Sequence, residues 1–216
     1  MGGGQLMNAN DITRLSVLGV ATVYEASGRE GLIDIPLIQI LPNSRVAGPA
    51  RTALCGQDDN LMVHAIIEQI QPGEVLVLSM PEPAPVALIG ELLATQVKVR
   101  GAAGILVDAS VRDVNELVAL GLPIWTRFVR VRGATKTKIG ELNTTAIVGG
   151  TQISSGDILV LDADGGVCVK RERMGAVLKA SEERLAKEDA LRQKLLTGQM
   201  SYDLHGLRAY VEGNKK

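Results

Sequence analysis

Apolar positions recur at helical spacing over residues 8–29, where Ile12, Leu15, Leu18, Val20 and Val23 share one face. Asn10 or Asp11 can cap this helix, and Gly28 and Gly31 close it. The pattern turns extended over 40–55, and VAGPARTA at 46–53 predicts a pair of strands. Helical spacing returns over 58–70, with Leu61, His64, Ala65, Ile66 and Ile70 near one side. After the Pro72-Gly73 turn, EVLVLSM at 74–80 is a short apolar run stopped by Pro81, which describes a buried strand. The connector EPAP leads into a predicted helix over 86–100 that ends at Gly101. AGILVD at 103–108 is the next buried strand, followed by a helix over 114–120 and a strand over 123–132. Short β segments fill 146–169, with turns at Gly149-Gly150, Ser155-Gly156 and Gly165-Gly166. A long charged helix over 177–196 and a short one near 207–211 complete the chain.

Strands that alternate with helices across short links predict an α/β fold with a central, mostly parallel sheet and helices packed on it. The expected organisation is a disordered lead over 1–9, an α/β catalytic domain over 10–175, and a C-terminal helical extension over 176–216 at a subunit interface. Composition narrows the function. Lys and Arg number 23 against 24 Asp and Glu, a net charge of −1, without the basic surplus that nucleic-acid binding needs. Aromatic residues are only 2% of the chain, too few for a base-stacking platform. No apolar stretch is long enough for a membrane span, and 1–7 lacks the regions of a secretory signal, so a cytoplasmic location is expected. Cys55 and Cys168 stand far apart and read as reduced, buried thiols. With only two histidines, any metal should be a hard, oxygen-ligated cation such as Mg²⁺ or Mn²⁺.

Two segments carry candidate chemistry. Gly90-Glu91-Leu92-Leu93 opens a helical turn, where outward-facing amides favour an anion and a glycine permits close approach. Arg112-Asp113, with Glu116 one turn further, follows a buried strand at the sheet edge where α/β proteins place ligands. On local pattern alone, an acidic helix N-terminus with a surface Arg explains the second segment equally well. Together the two supply an amide cradle, a fixed guanidinium and carboxylates for a divalent ion, which suits a 2-oxo acid whose keto oxygen becomes negative.

The run GELLATQVKVRGAAGILVDASVRDVNEL resembles the family that joins the regulator of ribonuclease E activity to the class II 4-hydroxy-4-methyl-2-oxoglutarate and 4-carboxy-4-hydroxy-2-oxoadipate aldolases. The likeness extends to ATVYEASG, PGEVLVL and SSGDILVLDADGGVCV, and the family's motif stands here as Gly90, Arg112, Asp113 and Glu116. The resemblance implies a swivelling β/β/α fold, homotrimers or hexamers built as dimers of trimers, and a pyruvate aldolase that uses Mg²⁺ or Mn²⁺. By the same resemblance, Asp113 holds the metal and Arg112 stabilises the pyruvate enolate. The amides of Leu92 and Leu93 hold the pyruvate carboxylate, and Glu91 faces the metal's waters. An acidic residue from the adjacent subunit is also implied, with Glu188 as the candidate. The regulators lack the acidic residue that Glu116 supplies here; a non-catalytic protein that binds ribonuclease E is the alternative function. The tail at 201–208 is similar to the aldolases' C-terminal extension, and either offers Arg208 or His205 to a distal carboxylate or packs at an interface.

Other candidates are structural. Lys98 lies near Arg100 and reads as exposed or salt-bridged, and His64 as a satisfied core or interface residue. Asp162 and Asp164 fit turn chemistry. The charge run at 182–194 reads as a solvated helix face laced with i,i+4 pairs.

Overall fold

The computed structural model describes residues 8–214; the expected lead over 1–9 lies, but for its last two residues, outside them. The helix predicted over 8–29 is two helices, α1 (Ala9–Leu18) and α2 (Val20–Ala26). Gly19 divides them at φ 82°, in the region glycine enters freely. There Asp162 Oδ2 accepts from the Val20 amide at 2.9 Å and caps α2. The cap of α1 is Asn8, whose side chain accepts from the Asn10 amide, not Asn10 or Asp11.

The remaining elements follow in order. They are β1 (Ile38–Gln39), β2 (Val46–Leu54), α3 (Leu61–Ile67), β3 (Val75–Ser79), β4 (Ala87–Ile89) and α4 (Glu91–Val99). Next come β5 (Gly104–Val111), α5 (Val114–Leu120), β6 (Ile124–Val129), β7 (Glu141–Leu142) and the hairpin β8 (Ala146–Val148) with β9 (Thr151–Ile153). The hairpin β10 (Ile158–Asp162) with β11 (Gly165–Val169) leads to α6 (Met174–Leu196), α7 (Ser201–Leu204) and α8 (Leu207–Gly213).

Strands β2, β3, β5 and β6 form a parallel centre, ordered β6-β5-β3-β2, and β4 adds a short parallel pairing to the end of β5. Antiparallel β1 joins β6, and the β10–β11 hairpin joins β2. The strand pair expected at 46–53 is one continuous strand. Its first half, through Pro49, pairs with β10, and its second half, from Ala50, pairs with β3. Antiparallel β7 also pairs with its last two residues, Ala53 and Leu54, so one strand serves three neighbours and the sheet curls.

Three apolar clusters hold these layers. Helices α3, α4 and α5 cover one face through Val63, Ile66, Ala94, Val97 and Leu117, all fully buried. Burying a side chain such as Leu117 contributes about 2 kcal/mol. The other face packs Trp125 and Leu106 against Ile33 and the β8–β9 hairpin. Trp125 keeps its indole N–H satisfied on the Asp162 carbonyl at 2.8 Å. Helices α1, α2 and the start of α6 close over β10 and β11 through Leu15, Val23, Val160 and Val177. No helix among the described residues is long and apolar enough to cross a membrane.

The helix predicted over 86–100 is corrected to strand β4 followed by α4. Ala87, Leu88 and Ile89 are all buried, and they pair with the end of β5. Gly90 is then the first residue outside the strand and the cap of α4.

Candidate functional site

Strand β5 runs three residues beyond its expected end, to Val111. Asp108 is therefore inside the sheet, buried and paired with Arg127 at 3.0 Å. Burial pushes its carboxyl above the usual carboxylate range, and Arg127 opposes the shift. The exposed chemistry begins only where the strand stops, at Arg112 and Asp113.

Asp113 occupies the cap position of α5 at φ 62°, ψ 46°, a left-handed conformation that Asp tolerates better than most residues. Its carboxylate does not cap α5. It turns instead to α4, where Oδ2 accepts from the Glu91 amide at 3.1 Å. An acid that would ordinarily serve its own helix thus meets the positive end of the neighbouring one. The Arg112 guanidinium flanks the same oxygen at 3.7 Å from Nε. Both side chains are about half exposed, 49% for Arg112 and 41% for Asp113, so they are open to a ligand.

Two glycines make room for this pair. A Cβ on Gly90 would lie 2.4 Å from Asp113 Oδ2 and 3.2 Å from Arg112 Nε. A Cβ on Gly133 would lie 3.0 Å from Arg112 Nη1. Gly90, Leu92, Leu93, Arg112 and Asp113 line one cleft of about 310 Å³, together with Asn60, His64, Gln96, Gly133, Ala134 and Lys136. The first-turn amides of α4 have no partner within the helix. Glu91 already donates its own to Asp113, and those of Leu92 and Leu93 follow it.

The predicted residues separate into two groups. Gly90, Leu92, Leu93, Arg112 and Asp113 meet at the cleft. Glu91 joins them through its backbone, while its carboxylate accepts from Thr95 Oγ1 at 2.9 Å. Glu116 is exposed in the first turn of α5 and does not line the cleft. Glu188 lies on α6, the helix that packs over α1 and α2, where it pairs with Arg184 at 2.8 Å. Within one chain it does not line the cleft. His64 is corrected from the core side of its helix to an exposed position lining the cleft. Lys98 is exposed and donates to the Leu120 carbonyl. Asn60, Gln96, Gly133 and Lys136 were not legible as site residues. Closure of α3 and the 130–140 loop onto β4 brings Asn60, Gly133 and Lys136 there, and Gln96 comes from α4 itself.

Among the described residues no three His, Cys, Asp or Glu side chains converge to hold a metal ion. A single carboxylate still fits a cation that keeps most of its waters, as Mg²⁺ does, better than one that demands several protein ligands. The space that a Cβ on Gly90 would fill keeps that carboxylate accessible.

Residues 20–168 match the model of the RraA-like family, Aldolase/RraA. A protein of Halalkalibacterium halodurans named "Putative 4-hydroxy-4-methyl-2-oxoglutarate aldolase" is 32% identical over 170 residues, 79% of each chain. Streptomyces coelicolor RraAS2, described as an unusual member of the RNase ES inhibitor RraA protein family, superposes with a TM-score of 0.76. It is 25% identical, and the alignment covers 87% of this chain and 98% of that one. A protein from Pseudomonas syringae pv. tomato shares the fold at a TM-score of 0.79 and 20% identity, over 91% of this chain and 96% of its own. The curled, mostly parallel sheet and the match over most of its length agree: this chain belongs to the Aldolase/RraA family.

Proposed function

We propose that the chain is a divalent-metal-dependent pyruvate aldolase, a carbon–carbon lyase. Its substrate would be 4-hydroxy-4-methyl-2-oxoglutarate or 4-carboxy-4-hydroxy-2-oxoadipate, cleaved to pyruvate and a second 2-oxo acid. The observation that carries this reading is the meeting of Asp113, Arg112 and the N-terminus of α4 at one cleft, within 3.1–3.7 Å of a shared oxygen. The aldolase name of a relative 32% identical supports it.

In this reading Asp113 holds Mg²⁺ or Mn²⁺, which when bound supplies Lewis acidity toward the keto oxygen. The amides of Leu92 and Leu93 bind the substrate carboxylate, and the dipole of α4 favours its charge. Arg112 faces the keto oxygen and stabilises the negative charge that develops there. Loss of the C4 hydroxyl proton to a base turns that C–O bond into a carbonyl and breaks C3–C4. The electron pair moves into the enolate of pyruvate, which is then protonated at C3. Glu91, in the first turn of α4, is a candidate carboxylate for a proton relayed by water. Glu188 of an adjacent copy and Glu116 are further acidic candidates, and a homotrimer or hexamer would bring the former close. Loss of CO₂ from oxaloacetate gives the same enolate, so oxaloacetate decarboxylation is an expected side activity.

The test couples pyruvate release to lactate dehydrogenase with the hydroxy-oxo acids and oxaloacetate, in Mg²⁺ or Mn²⁺. Turnover that is lost with EDTA and with Asp113→Ala supports the reading; turnover that survives both sinks it. The description of RraAS2 as a member of a ribonuclease-inhibitor family favours one other reading, a non-catalytic regulator that binds ribonuclease E. A blank across the acids, with inhibition of that nuclease by the purified protein, would establish the second reading instead.

A further inference from the structure

Residues 131–140 form the wall of the cleft opposite α4, yet burial does not hold them there. Every residue from Val131 to Lys138 is exposed except Ala134, which is half-buried, and Val131 and Ile139 are 89% and 83% exposed. The loop's start pairs with β4 directly, where the Arg132 carbonyl accepts from the Ala87 amide at 2.7 Å. Beyond it, what grips residues 135–138 is Asp59, whose side chain the mechanism does not use and which is fully buried. Its Oδ2 accepts from the Thr135 hydroxyl at 2.6 Å, the Thr137 amide at 2.6 Å and the Lys138 amide at 3.1 Å. Its Oδ1 accepts from the Leu61 amide at 2.8 Å, which ties the same group to the start of α3.

The next residue grips the other side. Asn60 is 7% exposed, and its Nδ2 donates to the Leu88 carbonyl at 3.0 Å, in the strand that delivers Gly90. Its backbone amide donates to the Thr135 carbonyl at 2.9 Å. We infer that Asp59 and Asn60 are positioning residues, a clasp at the start of α3 that fixes the 135–138 part of the cleft wall relative to β4. The clasped stretch follows directly on Gly133, which is bridged to Ala87 of β4 and abuts the Arg112 guanidinium. Burial alone would raise the Asp59 pKa, but the four hydrogen bonds outweigh it and hold the carboxyl well below the usual carboxylate range. The group is therefore ionised while it grips, and charge-assisted bonds of this kind are the strong ones.

The kinetic consequence rests on the aldolase reading above; the structural one does not. Asp59→Asn keeps the shape and one acceptor but turns an N–H₂ toward the three donors. Hydrogen exchange at the 135–139 amides, read by mass spectrometry, should accelerate about ten-fold or more. In the coupled assay with Mg²⁺ and oxaloacetate, KM should rise about ten-fold, more than kcat falls, because the wall rather than the reacting centre is released. Thr135→Val removes one donor, leaves the carboxylate in place, and should shift both readouts the same way by less. It decides the question if Asp59→Asn does not fold. A lower Tm with exchange and KM at wild-type values in the folded variant would mean a purely structural acid and overturn the inference. If the wild-type protein turns over none of the acids, the aldolase reading fails, and exchange alone judges the clasp: unchanged rates overturn it, faster rates sustain it.

Discussion

Gly90→Ala isolates the cleft from the rest of the fold. The glycine sits at φ −135°, ψ −170°, extended backbone that alanine adopts without strain. Its cost must therefore come from what the new methyl meets. The added carbon would stand 2.4 Å from Asp113 Oδ2, where ordinary contact begins near 3.4 Å, so the carboxylate must retreat by 1.0 Å. That retreat stretches the 3.1 Å bond from the Glu91 amide beyond hydrogen-bonding range and pushes on Arg112, whose Nε would be 3.2 Å away. The lost bond is half exposed and is worth about 1 kcal/mol, or roughly 2–4 °C in Tm for a chain of this size. Under the aldolase reading the catalytic penalty is larger, because a misplacement of about 1 Å in a reacting group costs on the order of 100-fold in rate. The assay is kcat/KM for pyruvate release from oxaloacetate with saturating Mg²⁺, beside a thermal melt. A variant that keeps wild-type kcat/KM while its Tm falls as expected would refute the reasoning, since the Asp113–Glu91 contact would then be a cap and nothing more.

The other expectations are separable from the site. Gly175→Ala, in the first turn of α6, meets no atom within 4 Å and should raise stability by about 0.5 kcal/mol without changing turnover, as a thermal melt and the coupled assay would report. Cys55 and Cys168 are both buried, and burial pushes each thiol up to about 12. Iodoacetamide at pH 8 should leave both unmodified in the native protein and label both in denaturant, as mass spectrometry would show. Arg127→Met should destabilise by about 2 kcal/mol at pH 8 and by less at pH 4, because it leaves the Asp108 carboxylate buried without its partner. The sign follows from Asp108: its folded pKa lies above the ordinary value, so its favourable contribution is full at low pH and is lost as pH rises through the folded pKa. Denaturant melts at the two pH values give the comparison, and an equal cost at both would contradict it.

Period and punctuation in the residues were enough for the elements that are either wholly buried or cleanly amphipathic. EVLVLSM and the helix over 114–120 lie where their spacing puts them, as β3 and α5. Gly90, Arg112 and Asp113 were recognisable because a glycine's room, a guanidinium and a carboxylate are written in the residue type, and Leu92 and Leu93 through the amides of a helical turn and the family resemblance. The structure brings these five to one cleft. Segments that depend on distant partners were misread. The 86–89 stretch is apolar enough for either a helix or a strand, and only pairing with β5 decides for β4. Gly19 reads as a tolerated helix residue until Asp162, 143 positions away in sequence, caps the helix that follows it. Asp59 carried no signal at all, since an acid before a helix is ordinary capping. Its hold on the Thr135 hydroxyl and the 137–138 amides exists only once the loop returns to it. Local spacing thus chose the chemistry, because a residue's type and its near neighbours set what it can ionise, donate or bury. The width and walls of the cleft were decided by the folded chain, because they depend on hydrogen bonds between residues that only tertiary packing makes neighbours.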